Sequence, residues 1–91
     1  MQAVTDNPAK SRYELHVDGE IAVADYEAKG NVRVVTHVGV PSSLGGRGIG
    51  SRLAEGLLED IRARGLKVEP VCSFMVGYFN KHPEHADLLA K

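Results

Sequence analysis

The sequence predicts an α+β domain in which helices pack on a small, mostly antiparallel sheet with one central pair of parallel strands. Two observations predict this class. Alternating apolar and polar residues before Asp18-Gly19, and an extended pattern after it, indicate a β-hairpin. Further along, a glycine-rich segment joins a valine-rich strand to an amphipathic helix, and another short strand follows. Because a helical crossover normally returns the chain parallel to the strand it left, these two strands should be parallel neighbours.

The composition is that of one small globular domain, with 91 residues of which 43% are hydrophobic and 25% charged. A formal net charge of −1 gives no electrostatic argument for nucleic acid or an anionic membrane, and we expect neither as a partner. The single Cys72 cannot form an intramolecular disulfide, and no segment approaches the ~20 apolar residues of a membrane helix. A reducing, cytoplasmic setting is therefore expected. Residues 1–12 are polar and predict a flexible leader, which leaves 13–91 as the domain.

Three strands are predicted before the glycine-rich segment. Tyr13–Val17 alternates apolar and polar residues, and Ile21–Tyr26 resumes in an extended pattern after the turn, so the two form the hairpin. A third strand covers Asn31–Val40, and Pro41 ends its ladder. Period-two spacing predicts that four valines of this strand share one face: Val32, Val34, Val38 and Val40.

The second half of the chain predicts a helix, a strand and two short helices. Apolar residues recur every four positions over Gly48–Arg64, which is typical of a helix with one buried face. A short strand follows over Lys67–Cys72, and because Pro70 cannot donate to a ladder, the parallel pair should splay there. Ser73–Lys81 is predicted as a short helix and Glu84–Lys91 as a weak terminal helix.

Four glycines fall within the six residues Gly45–Gly50, between the third strand and the long helix. Glycines let backbone N–H groups turn toward one point, and a helix start adds unpaired N–H groups and a positive dipole end, so this junction suits a phosphate. The Rossmann pattern fails because Ser51 occupies its third glycine position, and the P-loop pattern fails because Arg52 follows where its Lys-Ser/Thr ending is needed. We therefore expect neither a dinucleotide fold nor nucleoside triphosphate hydrolysis.

The pattern that fits is the pyrophosphate loop of the GNAT superfamily of N-acetyltransferases, Arg/Gln-x-x-Gly-x-Gly/Ala between a strand and a helix. Gly46-Arg47-Gly48-Ile49-Gly50 resembles its last five positions, whereas Gly45 stands where the family has Arg or Gln. The resemblance extends through the strand His37–Pro41, the segment Lys67–Phe74 and the dipeptide His82-Pro83. With these pieces, nearly the whole chain is similar to the compact subfamily described as minimal or YjdJ-like acetyltransferases.

This resemblance implies a minimal GNAT-like fold whose splayed parallel strands surround a site for acetyl-coenzyme A, the acetyl donor. The pyrophosphate would bind backbone N–H groups of the glycine segment, and the pantetheine arm would pair with the third strand like an added strand. The implied reaction is transfer of the acetyl group to an amine. The expected coenzyme-binding residues are Val38, Gly39, Val40, Gly45, Gly46, Arg47, Gly48, Ile49, Gly50, Ser51, Asn80 and Lys81.

Acetyl transfer to an amine needs a neutral amine, a donor for the developing oxyanion and a proton for the departing thiolate. Cys72 could accept the acetyl group as a thioester before the amine takes it, and core packing is the competing interpretation. His37 could take a proton from Cys72 or from the amine, or serve only as a hydrogen-bonded structural residue. Tyr78 could protonate the coenzyme thiolate, as a tyrosine does in many larger relatives, or pack in the core.

Three functions stay open on the sequence alone. The first is an N-acetyltransferase, the second a coenzyme A-binding module or sensor without turnover, and the third an interaction domain whose glycine segment is only a tight turn. Neither an acidic cluster nor an aromatic cage identifies the acceptor, which leaves a small amine, a protein lysine and a peptide terminus. His82 and His85 lack the spacing of a metal site, so no metal is predicted. We expect a monomer or a weak homodimer.

Overall fold

The structure, a computed structural model, describes residues 3–90. Within that range five strands form one mixed sheet in the spatial order β1-β2-β3-β4-β5. The strands are β1 (Thr5–Asn7), β2 (Arg12–Val17), β3 (Glu20–Lys29), β4 (Val32–Gly39) and β5 (Lys67–Pro70), and the α-helices are α1 (Ile49–Ala63) and α2 (Ser73–Lys81). The first four strands pair antiparallel and β4 pairs with β5 in parallel, which confirms the predicted fold class. The parallel pair lies at one edge of the described sheet rather than at its centre, because no further strand within residues 3–90 pairs with β5. Over these residues no helix is long and apolar enough to cross a membrane.

Helix α1 covers one face of the sheet. Its apolar side chains Leu53, Leu57 and Ile61 are fully buried in a core that also contains Tyr13 and Leu15 of β2. Burying a side chain of this size stabilises the fold by roughly 1.5 to 3 kcal/mol, so this stripe fixes the position of the helix. The start of α1 is thereby held close to the end of β4.

Residues 5–10 belong to the fold, which corrects the prediction of a flexible leader over residues 1–12. β1 pairs with β2, with Asp6 opposite Tyr13, and a 3-10 turn over Pro8–Lys10 joins the two strands. The Asp6 carboxylate accepts hydrogen bonds from the Tyr26 hydroxyl at 2.6 Å and from Arg33 Nη1 at 3.1 Å. These partners lie on β3 and β4. The segment is therefore held by hydrogen bonds to distant residues, which its polar composition alone could not predict. Residues 1 and 2 lie outside the described residues.

A β-bulge in β4 overturns the predicted valine face. Tyr26 pairs with Val35 but Asp25 pairs with His37, so Thr36 has no residue of its own opposite it on β3. An extra residue reverses the alternation of side chains beyond it. Two valines, Val35 and Val38, therefore share the helix side of the sheet. By the same register Val32 and Val34 lie on the other face, and Val40 follows the end of the strand.

The parallel strands separate halfway along β4. Their pairing runs from Val32 opposite Lys67 to Val35 opposite Pro70 and ends there, so the predicted splay at Pro70 is confirmed. Beyond this point the N–H group of Cys72 donates to the Val35 carbonyl at 3.3 Å and the chain turns into α2. β4 continues to Gly39 with β3 on one side and, among residues 3–90, no strand on the other.

The C-terminal segment folds back over the helices. α2 has its predicted bounds, Ser73–Lys81, but the segment after it forms a 3-10 turn over Pro83–Leu88 rather than the expected α-helix. This turn buries Leu88, and Leu89 then makes a parallel bridge to Val68 of β5. Lys91, the last residue of the predicted helix, lies outside the described residues.

Candidate functional site

The turn between β4 and α1 needs glycine for its backbone conformation. Gly46 and Gly48 have φ angles of +78° and +69°, in the left-handed region that other residues enter at a cost. An added Cβ at either position would meet nothing within 4 Å, so lack of space is not the reason for glycine. Gly45, where the GNAT pattern has Arg or Gln, is exposed and has extended backbone with φ −61° and ψ 145°. The turn therefore leaves its outer surface open to a ligand.

Helix α1 begins without a side-chain cap. Gly48 is the N-cap residue, no side chain bonds to the first turn, and that turn carries no acidic residue. The first N–H group with a partner inside the helix is that of Arg52, which donates to the Gly48 carbonyl at 3.1 Å. An α-helix leaves four N–H groups unpaired at this end, here those of Gly48 to Ser51, and its dipole makes the end positive. The start of α1 is therefore suited to an anion.

The open edge of β4 leads directly into this turn. Val38 is half-buried against the core, and Val40 is 36% exposed. At Gly39 an added Cβ would lie 3.1 Å from Nε2 of His37, so a larger residue would displace the imidazole ring. The strand edge and the helix start, predicted to bind two parts of one ligand, are thus neighbours in the structure.

A cavity of about 240 Å³ lies between the start of α1 and α2. Two predicted coenzyme-binding residues line it, Ser51 and Lys81, whereas the exposed Asn80 does not. Its walls are Ser51, Ser73, Phe74, Gly77, Tyr78, Lys81 and His82. A larger cavity of about 410 Å³, between α1 and the N-terminal segment, is lined by no residue of the glycine turn. The smaller cavity is therefore the one that belongs to this site.

The guanidinium of Arg47 is engaged by the hairpin turn. Its Nη1 donates to Oδ2 of Asp18 at 2.7 Å, and the two side chains are 47% and 65% exposed. An ion pair this exposed is worth about 0 to 1 kcal/mol, so Arg47 can exchange Asp18 for a phosphate at little cost.

The three predicted catalytic side chains do not form one cluster. Cys72 is the N-cap of α2, half-buried against the core on the helix side of the sheet. His37 is exposed and pairs in register with Asp25, on the face of the sheet away from the helices. Within residues 3–90 no hydrogen bond joins either of them to the other or to Tyr78.

The hydroxyl of Tyr78 is engaged by α1. It donates a hydrogen bond of 2.5 Å to Oε2 of Glu55. Burial, and next the hydrogen bond to this carboxylate, raise the pKa of Tyr78 above its ordinary value. The same hydrogen bond is the main reason why the pKa of Glu55 is lowered. The hydroxyl proton of Tyr78, expected from the sequence to go to the departing thiolate, is therefore donated in a hydrogen bond to Glu55.

Two residues that the sequence did not single out complete this side of the site. The carboxylate oxygens of Glu55 also lie 3.0 Å and 3.1 Å from Nε2 of His85. His85 Nδ1 is buried without a hydrogen-bond partner in the described part of the chain. The signal for this contact is weak because Glu55 and His85 are separated by thirty positions.

Comparisons with known proteins identify a family and support the fold. A sequence model of the GCN5-related N-acetyl-transferase family matches residues 12–88. The NMR solution structure of a GCN5-like candidate N-acetyltransferase from Staphylococcus aureus is similar to this structure, with a TM-score of 0.73 and 24% sequence identity. The similarity covers 96% of this chain and 86% of the other, and at this identity it shows the fold. No curated protein matches the chain.

Proposed function

Because the chain belongs to the GCN5-related N-acetyltransferase family, we propose that it transfers the acetyl group of acetyl-coenzyme A to an amine. One observation carries this proposal: the uncapped start of α1 packs against Phe74 at the start of α2, and Cys72, just before α2, bonds to β4 where its edge becomes open. A helix start binds phosphate, and an unpaired strand edge binds an extended chain that contains amides. Coenzyme A carries both of these groups in one molecule.

The pyrophosphate would bind the N–H groups between Gly48 and Ser51. These groups need no rearrangement, because the structure assigns them no partner within residues 3–90. Arg47 would add a charged contact after leaving Asp18, its exposed partner. Gly45 has no side chain to contribute, and its backbone N–H already donates to the Ser42 carbonyl at 3.1 Å.

The two ends of the coenzyme would extend in opposite directions from the pyrophosphate. The pantetheine arm would run along β4 from Val40 toward Thr36, on the side where β4 has no neighbouring strand within residues 3–90 because Pro70 ends the parallel pairing. The nucleotide end would enter the cavity of about 240 Å³, where Lys81 supplies a positive charge. Within residues 3–90 Lys81 makes no ion pair, so it is available to a phosphate.

Cys72 is the proposed acyl carrier. Its backbone N–H donates to Val35 beside the bulge, so its side chain stands where β4 and β5 separate and where the thioester end of the arm would arrive. The Cys72 thiolate attacks the acetyl carbonyl, a new C–S bond forms, and the bond to coenzyme sulfur breaks. The amine nitrogen then attacks this thioester, an amide forms, and Cys72 leaves as thiolate. The proton that the amine loses balances the one that the coenzyme thiolate takes up.

His37 is proposed to take a proton from the incoming ammonium group as it approaches from solvent, before the nitrogen reaches the acetyl group on Cys72, rather than to take a proton from Cys72. The register of β4 puts it on the face away from the helices, whereas Cys72 packs on the helix side, so direct transfer between them is not supported. An exposed imidazole beside the strand edge can take a proton from an amine that approaches from solvent. A small amine, a protein lysine and a peptide terminus all satisfy this requirement.

The experiment separates binding, acylation and turnover. The protein is mixed with acetyl-coenzyme A without an amine, and its intact mass is measured beside Cys72→Ser, which keeps the size but not the nucleophilicity of the thiol. We expect one added acetyl group on the native chain only. An amine panel is then assayed with the native chain, Cys72→Ser and His37→Ala, with His16→Ala as the control for loss of an exposed histidine of the sheet.

Each outcome assigns a different function. Acetyl transfer at the native rate by Cys72→Ser would overturn the acyl-cysteine route but not the activity. Coenzyme binding without product from any amine would support the non-catalytic binding module. Calorimetry that shows no binding of coenzyme A would overturn both and leave the interaction domain.

A further inference from the structure

One carboxylate joins three elements beside the cavity. Glu55 lies midway along α1, and its side chain accepts hydrogen bonds from Tyr78 of α2 and His85 of the C-terminal 3-10 turn. The Glu55 side chain is 43% exposed, whereas that of His85 is only 12% exposed. The contact is therefore a polar clamp at the edge of the helix pair rather than a part of the apolar core.

This clamp holds the side chain of Tyr78, which forms one wall of the smaller cavity. The ring of Tyr78 stacks on that of His82 with centroids 4.2 Å apart and on that of Phe74 at 6.4 Å, and all three residues line the cavity. Because the hydroxyl of Tyr78 is bonded to Glu55, rotation of the Tyr78 side chain about χ1 would break that hydrogen bond. Charge strengthens it, since the pKa of Glu55 is lowered and that of Tyr78 is raised, so an ionised carboxylate accepts from a protonated phenol.

Apolar contacts hold α2 in place without this clamp. Met75 and Phe79 are buried in the core that α1 shares with the sheet. Loss of the Glu55 carboxylate would thus leave the helix docked and free the Tyr78 ring. A change in ligand binding that exceeds the change in stability is the consequence to be measured.

We propose that Glu55 is a positioning residue that acts through Tyr78 to shape the cavity for the nucleotide end of coenzyme A. This inference rests on the proposed coenzyme binding, but not on acetyl transfer. Glu55 lines the larger cavity, as does Glu59, and not the smaller one. Of the two side chains that bond to Glu55, only Tyr78 lines the smaller cavity, so the effect of Glu55 on that cavity passes through Tyr78.

The test uses Glu55→Gln, Glu55→Ala, Tyr78→Phe and the double variant Glu55→Ala with Tyr78→Phe. Glu59→Gln is the matched control, because Glu59 is one turn further along α1, exposed, and without an ion pair within residues 3–90. The dissociation constant of coenzyme A is measured by calorimetry well below the melting temperature, beside the melting curve of the free protein. The ratio of KM to kcat is measured with any active amine.

Glu55→Ala and Tyr78→Phe should each weaken coenzyme binding by about tenfold, the worth of one charge-assisted hydrogen bond. The double variant should be no weaker than either alone, and KM should rise while kcat stays within about twofold. Glu59→Gln should bind like the native chain. Additive effects, or native affinity in Glu55→Ala and Glu55→Gln despite a lowered melting temperature, would overturn the inference. Absence of coenzyme binding in the native chain would instead overturn the proposed function.

Discussion

The ring of Phe74 lies against the backbone of Gly50, so close that an added Cβ at residue 50 would come within 2.9 Å of the ring's Cζ atom. This contact joins the first turn of α1 to the first turn of α2. It also sets the width of the cavity at the end where the pyrophosphate would bind, because Phe74 lines that cavity. Gly50 is thus required because a side chain would meet Phe74, whereas Gly46 and Gly48 are required for their positive φ angles.

Alanine substitutions should separate these two roles. Gly50→Ala displaces the tip of a side chain that is 40% exposed and can rotate, so the free energy of unfolding should change by less than about 1 kcal/mol while coenzyme A binds several-fold more weakly. Gly48→Ala forces a Cβ into the left-handed region and should cost about 1 to 2 kcal/mol of stability. Urea unfolding and calorimetry measure the two effects. Native affinity in Gly50→Ala would show that the Phe74 contact does not shape the binding site.

The ion pair between Arg47 and Asp18 predicts that removing its carboxylate strengthens ligand binding. Asp18→Asn frees Arg47 for phosphate, so coenzyme A should bind about twofold to threefold more tightly, with little change in stability because both side chains are exposed. Asparagine also tolerates the positive φ of +52° at this position. The measurement is a titration with coenzyme A at two salt concentrations. When Arg47→Gln is added to Asp18→Asn, the tighter binding should disappear. Weaker binding in Asp18→Asn would indicate that the pair holds the turn in its binding shape.

The sequence pattern within single segments predicted those elements whose structure depends on residues close together in the chain. The hairpin, α1, α2 and the glycine turn follow from alternation, helical periodicity and glycine spacing, and the structure has all four. β1 was missed because Asp6 is held by Arg33, twenty-seven positions away. The valine face of β4 was wrong because the bulge at Thr36 exists only in the register with β3, which the β4 sequence alone does not contain.

The candidate site divides in the same way. The glycine turn and the open strand edge were predicted from contiguous residues, and they lie together. The hydrogen bond between Tyr78 and Glu55 joins positions twenty-three apart on two helices, so no spacing within either helix could predict it. The separation of His37 from Cys72 has a related cause, because one extra residue in β4 decides which face of the sheet the imidazole occupies.

The hydrogen bonds of Glu14 predict how the free energy of unfolding changes at acidic pH. It lies 8% exposed on the sheet and accepts hydrogen bonds from Arg12, then His16 and Asn7, which lower its pKa to about 2 from an ordinary value of 4.5. A carboxylate with a depressed pKa contributes stability above its unfolded value and loses it as the pH falls through the folded value. The contribution should therefore decline between about pH 4.5 and pH 2, by on the order of 2 kcal/mol.

The comparison with Glu14→Gln isolates this residue from the other carboxylates. The difference in unfolding free energy between the native chain and Glu14→Gln should be largest near neutral pH and vanish near pH 2. Glu27→Gln is the control, because Glu27 is 63% exposed and its partner Lys29 is 3.7 Å away, so its difference should stay small throughout. A difference for Glu14→Gln that does not change with pH would show that its hydrogen bonds do not depend on its charge.

Lys81 predicts a preference for a coenzyme that carries a phosphate at its nucleotide end. Lys81 lines the cavity together with three stacked rings, so a terminal phosphate beside the adenosine would meet its ammonium group. Coenzyme A should therefore bind about tenfold more tightly than the same molecule without its 3′-phosphate, and Lys81→Met should reduce that preference to about twofold. Lys29→Met, at a position that is 69% exposed on the hairpin, should keep the native preference. If Lys81→Met weakens the binding of both coenzymes equally, Lys81 contributes to the shape of the cavity rather than binding the phosphate. Only a direct contact with the 3′-phosphate would make the effect of the substitution depend on whether that phosphate is present.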